Sequence, residues 1–288
     1  MKTAVMTDTN SGISIQEGKE NHIFVLPMPV IIDGKEYLEE VTLSHEMLYQ
    51  ALNQNREVST SQPSPAMLMD MWNEILEKGY DEIVYIPMTS GLSGSCATAT
   101  GLAEDYNGKI QVVDNHRISL PLLDSVYDAE YLSENGKNAL EIKEILEENA
   151  YRNDIYITLH QLKRIIKTGR ITTAGAAIAT VLNIKPILKI QGGKLDAFAK
   201  ARGMKNCETI MIEAVKKDLA GKYAGFPKER LRLCTAGTFE KKKDELAWIQ
   251  KVQDAFPEFK VQYRPLACSI ACHIGTNTEG IAIDCISR

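Results

Sequence analysis

From Lys2 to Glu148, short apolar runs alternate with longer stretches of helical periodicity, and this rhythm confines the chain to folds built on a largely parallel sheet covered by helices on both faces. Lys2–Thr7 reads as a buried strand that stops at Asp8-Thr9-Asn10-Ser11-Gly12. Those turn formers stand at the carboxyl end of the strand, where α/β proteins place their ligands. His22–Leu26 and Val30–Ile32 are further strands, with a tight turn at Asp33-Gly34 before Lys35-Glu36-Tyr37. Ser44 caps a helix that runs to Asn53. Ser64 followed by Pro65 starts another, because the hydroxyl accepts from first-turn amides and proline fits the first helical position. Met67, Leu68, Met71, Trp72, Ile75 and Leu76 then recur at helical spacing as far as Gly79. Glu82–Pro87 is a strand, Ser95–Tyr106 a helix, Ile110–Asp114 a strand, and Leu120–Glu134 and Ala139–Glu148 are helices.

Beyond Arg152 the pattern changes. Ile155–Thr158 predicts a strand and Gln161–Lys167 a helix closed by Gly169. Lys185–Ile190 and Lys194–Phe198, joined by Gln191-Gly192-Gly193, suit antiparallel pairing better than another crossover. Helices at Cys207–Leu219 and Lys241–Phe256, and strands at Leu231–Thr235, Phe259–Tyr263 and Gly280–Ile286, complete the chain. A length of 288 residues also exceeds what one hydrophobic core usually organises. The expectation is therefore an α/β protein of two domains. Residues 1–152 form a three-layer α/β/α unit with a mainly parallel sheet, and residues 153–288 an α/β unit with a mixed sheet.

The formal net charge of -5 argues against a general nucleic-acid binder, because neutralising phosphates takes a basic surface. The chain reaches Asp8 before any apolar run is long enough for a signal peptide, and no later stretch is long enough to span a bilayer, so a cytoplasmic protein is expected. Cys96, Cys207, Cys234, Cys268, Cys272 and Cys285 are scattered without a CxxC pair and read as reduced thiols. Cys268, Cys272 and His273 crowd into one short segment but lack the second half-site of a closed zinc centre, so neither a metal nor a cofactor is expected.

Three places carry side chains suited to chemistry. In Thr60-Ser61-Gln62-Pro63-Ser64-Pro65, hydroxyls and an amide precede a helix whose free N–H groups and dipole favour an anion. The same residues also describe a capped helix start after an extended turn. Thr89-Ser90-Gly91-Leu92-Ser93-Gly94-Ser95 lies between a strand and a helix, and its glycines either let backbone amides approach an anion or simply make a turn. The spacing around Ser93 is not that of a nucleophile elbow, and the segment has neither dinucleotide spacing nor a P-loop lysine. His273 stands in a glycine-containing turn before the last strand, either structural or reaching a pocket. Asp8, Asp114 and His116 add polar groups at strand ends. The basic groups Lys163-Arg164 with Lys167 and Arg170, and Lys200 with Arg202 and Lys205, are solvated faces or docking spots.

Taken in order, several segments resemble the DegV family across essentially the whole chain. They are Thr7-Asp8-Thr9, Thr60-Ser61-Gln62-Pro63-Ser64, Ser90-Gly91-Leu92-Ser93-Gly94, Gly169-Arg170-Ile171, Asn183-Ile184-Lys185-Pro186-Ile187-Leu188, and His273 with Gly275. The resemblance implies a lipid-binding carrier rather than an enzyme, with a long-chain fatty acid buried between the two domains. It puts Thr60 and Ser93 at the carboxylate, Ser61 and His273 beside them, and Arg170 as a further charge. In family members that serve fatty-acid activation, a separate kinase phosphorylates the bound acid to an acyl phosphate. A fatty-acid kinase is thus the implied protein partner; separately, the basic residues Arg202 and Lys205 offer a candidate docking surface. Two segments depart from the family pattern. Its usual His-x-Gly-Pro-Gly ending is here His273-Ile274-Gly275-Thr276-Asn277, and its usual Asp-Ser after the strand at Val112-Val113 is Asp114-Asn115. A competing reading makes Ser93 the nucleophile and His273 the base of a serine hydrolase or acyltransferase.

Overall fold

A computed structural model describes residues 2–160, 162–177 and 184–288. The first half of the chain forms β1 (Thr3–Asp8), β2 (Ile23–Leu26), β3 (Pro29–Ile32), β4 (Lys35–Leu38), β5 (Val58–Thr60), β6 (Glu82–Ile86) and β7 (Ile110–Val112). The second half forms β8 (Asn153–Thr158), β9 (Ile184–Ile190), β10 (Asp196–Arg202), β11 (Leu231–Gly237), β12 (Gln262–Pro265) and β13 (Glu279–Cys285).

Strands β2-β1-β6-β7 make an all-parallel sheet. Side chains alternate across a strand, so β1 divides its apolar residues between two layers. Ala4 and Met6 pack with Leu68, Trp72 and Ala99 from the helices Pro65–Glu77 and Ser95–Ala103. Val5 packs with Leu122 and Val126 from the helix Ser119–Glu134 on the opposite side. Cover on both faces explains why β1 and β6 are buried at every position. The hairpin β3–β4 turns at Asp33-Gly34 and joins β5 in a small antiparallel sheet.

The second sheet runs β10-β9-β8-β13-β11-β12, antiparallel except for the β11–β12 pair. Its outer face buries Met211 and Val215 from the helix Met204–Ala220 and Trp248 and Val252 from Lys242–Ala255. Its inner face looks at the first domain. The helix Ser119–Glu134 touches β1 and β6 on one side and β11 and β13 on the other, and one apolar cluster continues from Val84 through Leu123 to Ile155 and Ile190.

Several boundaries differ from the expectation. The helix from Ser95 stops at Ala103 and tightens into a 3-10 turn at Glu104–Tyr106, followed by Asn107 in the left-handed region. The strand expected at Phe259–Tyr263 begins only at Gln262, because Phe256 is buried and Phe259 packs beside it in the outer core. His273 lies in a helix, Cys268–Ile274, not in a turn. That helix is too short and too evenly apolar to show a period. The expected helix start at Gln161 and the Asn183 that opens the Asn183–Leu188 motif lie outside the described residues.

Candidate functional site

The carboxyl ends of the parallel strands face the inner side of the mixed sheet, and between them lies a cavity of about 230 Å³. Thr60, Ser61, Ser93, Arg170 and His273 all line it. The structure therefore gathers at one place the five residues that the motifs suggested. Arg202 and Lys205 do not line it; both are exposed at the outer end of edge strand β10 and the helix after it.

Thr60 is the last residue of β5, held by pairing with Val30. The capping reading of the next residues holds for Ser64 alone, whose hydroxyl accepts from Met67 N at 3.2 Å. Thr60, Ser61 and Gln62 precede the cap and turn toward the cavity. Gln62 Oε1 accepts from the Thr98 hydroxyl at 3.2 Å, tying this segment to the helix that follows Ser93.

The second segment divides its labour differently from the simple anion-loop reading. The Gly91 amide is taken by the Thr89 hydroxyl at 3.1 Å, and that hydroxyl donates to Gly192 O at 2.7 Å. A Cβ on Gly91 would strike the backbone of Gly192 and Gly193. Gly91 is thus required so that the β9–β10 turn can close onto the first domain, and not for a ligand. Ser93 Oγ accepts from Ser95 N at 3.2 Å, which leaves its O–H available to donate into the cavity.

His273 is delivered by a carboxylate that the motifs did not reveal. Glu39, only 2% exposed, accepts from the Thr9 hydroxyl at 2.8 Å, from the Ser269 hydroxyl at 3.0 Å, and from the backbone amides of Cys268 and Ser269. The carboxylate thereby satisfies the orphan amides that open the helix Cys268–Ile274 and fixes its rotation. The Nε2 of His273 then meets Thr60 Oγ1 at 2.9 Å, while its Nδ1 is buried without a hydrogen-bond partner among the described residues. Burial, helped by the positive charge of Arg170, pushes the imidazole down to about 4, so it is neutral near pH 7.

Asn10 and Ser269 also line the cavity and bond to each other at 2.9 Å. Asp8 stands behind them, accepting from Asn10 N at 2.9 Å and Met88 N at 3.0 Å, and burial raises its carboxyl to about 6. Asp114 and His116 serve the fold: Asp114 accepts from Ser90 N at 3.2 Å, and the His116 ring stacks on Tyr151. Cys268 and Cys272 sit in an apolar cluster with Val30 and Leu48, where burial pushes both thiols up.

Polar lining groups cluster where Thr60 meets His273 and Asn10 meets Ser269, and Ser119 adds a hydroxyl at the start of the helix Ser119–Glu134. Elsewhere its walls are aliphatic, from Met88, Leu92, Ile155, Ile157, Ile190 and Leu195 among others. Gln62 and Gly94 at the polar end are exposed, so that end opens toward solvent. Chemically this is an amphipathic slot with hydroxyl donors, a neutral imidazole and one guanidinium at its mouth. Gln62 is the amide of the Thr60–Pro65 segment, whereas Asn10, Glu39 and Ser269 went unassigned in the motifs, and only the turn cluster after the first strand hinted at Asn10.

A family model described as "Uncharacterised protein, DegV family" matches residues 2–284. A DegV domain-containing protein of Streptococcus pneumoniae is 33% identical over 227 residues, which cover 77% of this chain and 80% of that one. Among solved structures, a DegV family protein from Thermus thermophilus, described by its fatty acid binding, is 25% identical with a TM-score of 0.87, covering 99% of this chain and 100% of that one. A stearic-acid-binding protein from Eubacterium ventriosum shares the fold with a TM-score of 0.88 at 18% identity, covering 99% of each chain.

Proposed function

This chain belongs to the DegV family, and from that premise we propose that it binds a long-chain fatty acid in the cavity and presents the carboxylate at the open end to a partner kinase. The observation that carries the reading is the hydrogen-bond polarity of the mouth. Ser93 Oγ already accepts from a backbone amide. Thr60 Oγ1 meets His273 Nε2, and with that nitrogen protonated it accepts there too. Both hydroxyls then still have their proton free to donate, which suits an anion. Arg170 supplies the compensating charge, and Ser61 lies beside the pair on the cavity wall.

The tail supplies the affinity. Each buried methylene contributes about 0.8 kcal/mol, so a chain of roughly sixteen carbons contributes on the order of 10 kcal/mol before ordering costs. The head needs donors because an unpaired buried carboxylate costs several kcal/mol. The serine-hydrolase reading needs an imidazole on Ser93, and the ring bonds Thr60 instead.

The remaining assignments follow the same reading. The domains divide at Arg152 into residues 1–152 and 153–288, and the ligand lies between them. Among the described residues no helix is long and apolar enough to cross a membrane, and the protein works in the cytoplasm. Arg202 and Lys205 form the exposed basic spot on which the kinase docks. Native mass spectrometry with lipid extraction tests the central point: protein purified from cells carries fatty acid, and Thr60→Ala or Ser93→Ala loosens it. Protein that is repeatedly empty and takes up no added fatty acid ends the reading. Loss of kinase coupling in Arg202→Glu with lipid binding intact separates docking from binding.

A further inference from the structure

The wall of the cavity changes chemistry abruptly along β13. The head-group residues lie where β11 ends and β13 begins, since Gly275 O, two residues after His273, accepts from the Thr238 hydroxyl at 2.8 Å. Moving along the strands from there, the cross-strand row Ile157–Gly280–Ala236 comes first, and the row Ile190–Ile155–Ala282–Cys234 second. Every residue of both rows lines the cavity. The next row, Asn153–Asp284–Arg232, is absent from its wall.

That third row belongs to a buried charged layer. Asp284 pairs with Arg117, which is 1% exposed and whose guanidinium also donates to Ser125 Oγ and to the carbonyls of Pro121, Asn149 and Cys285. Asp124 and Asp128 join it, both paired with Arg288. Two wall residues touch this layer directly. Pro121 does so through the carbonyl that receives Arg117, and Cys234 through its thiol, 4.0 Å from Asp124 Oδ2.

We propose that the acyl channel ends at Cys234 and Ala282, against the Arg117–Asp284 layer, and that this row sets the longest tail the protein accepts. The proposal rests on the fatty-acid reading above. Gly280 and Asp284 are four strand residues apart, about 13 Å at ~3.3 Å per residue, so the channel floor is finite and its end is chemically marked. A methyl terminus advances no further, because entering the layer would strip hydrogen bonds from buried charges, which costs more than a buried methylene returns. The last apolar row is also where the small residues Ala282 and Cys234 stand next to each other, opposite Ile155 and Ile190. The remaining room is therefore decided by side-chain volume at those two positions.

Delipidated full-length protein titrated with saturated acids from dodecanoic to octadecanoic acid tests the proposal. Cys234→Leu and Ala282→Val, on neighbouring strands, are expected to weaken octadecanoic acid about tenfold, the loss that accompanies about two methylenes left unburied, while dodecanoic acid keeps its wild-type affinity. Circular dichroism checks folding, and Ala282→Val, the smaller change, carries the test if Cys234→Leu does not fold. An equal loss for every chain length overturns the proposal, as does an unchanged length profile in the folded variants. Wild-type protein that binds no acid in the series refutes the fatty-acid reading itself, an outcome distinct from either.

Discussion

The two ends of the cavity are built by different rules. At the mouth, the hydroxyls come from two short stretches, Thr60–Gln62 and Thr89–Ser95, each leading into the start of a helix. At the closed end, the wall is assembled from β8, β9, β11 and β13 and from the beginning of the helix Ser119–Glu134. A polar end needs particular donors in particular places, so it leaves compact motifs. An apolar end needs volume, which many combinations of aliphatic residues supply. The charged layer behind the closed end breaks this division, being polar and specific yet drawn from residues as distant as Arg117 and Asp284.

The contrast is broken most severely by removing that layer. Arg117→Leu removes the ion-pair partner of Asp284, which lies beside Asp124 in the interior, and takes one of two donors from each of the carbonyls of Asn149 and Cys285. A loss of about 3 kcal/mol is expected in urea unfolding, the scale for breaking a buried pair on one side. A loss of less than about 1 kcal/mol would mean that the layer is held by something other than the arginine.

A smaller effect is expected at the mouth. Glu39→Gln replaces a carboxylate oxygen by an amide NH₂ that faces backbone donors at Cys268 or Ser269. The cost should be about 1–3 kcal/mol, and fatty-acid affinity should fall with it as the helix bearing His273 loosens. Unchanged affinity in a destabilised variant would show that Glu39 serves the fold alone.

The smallest effect is titration of the mouth. His273 is held down to about 4, against an ordinary value of 6.5, so between those values the unfolded chain binds more protons than the folded one. Its contribution to stability is present above pH 6.5 and is lost as pH falls toward about 4. Asp8, raised from 3.8 to about 6, acts in the opposite sense, favouring the folded state as pH falls through about 6. His273→Gln removes the first contribution and leaves the second. Thermal unfolding should therefore show the variant gaining on the wild type as the buffer is moved from pH 7 to pH 5, and a constant difference would place the imidazole in a more solvated setting.

Much of the architecture was readable from local pattern. The buried run at β1, the Ser64-Pro65 helix start and the change of rhythm after Arg152 each follow from short-range physics: side-chain periodicity, capping and turn chemistry. The mouth residues were readable for the same reason, since hydroxyls and glycines stand out in strand-to-helix loops. Glu39 was not, because a buried carboxylate in a connecting segment looks like any surface acid until the helix it caps arrives from the other end of the chain. The helix around His273 was missed because seven residues hold too few turns to display a period.

Local residue order thus accounts for the strands, the helix starts and the donors at the mouth of the cavity, because those depend on neighbours within a few positions. Which aliphatic side chains face the cavity, why Gly91 must be glycine, and where the channel stops depend on the register of β8, β13 and β11 and on the approach of the two domains. Apolar burial is non-directional, and long-range pairing leaves no mark on the neighbouring residues. Those features came into view only when the second sheet was laid against the first.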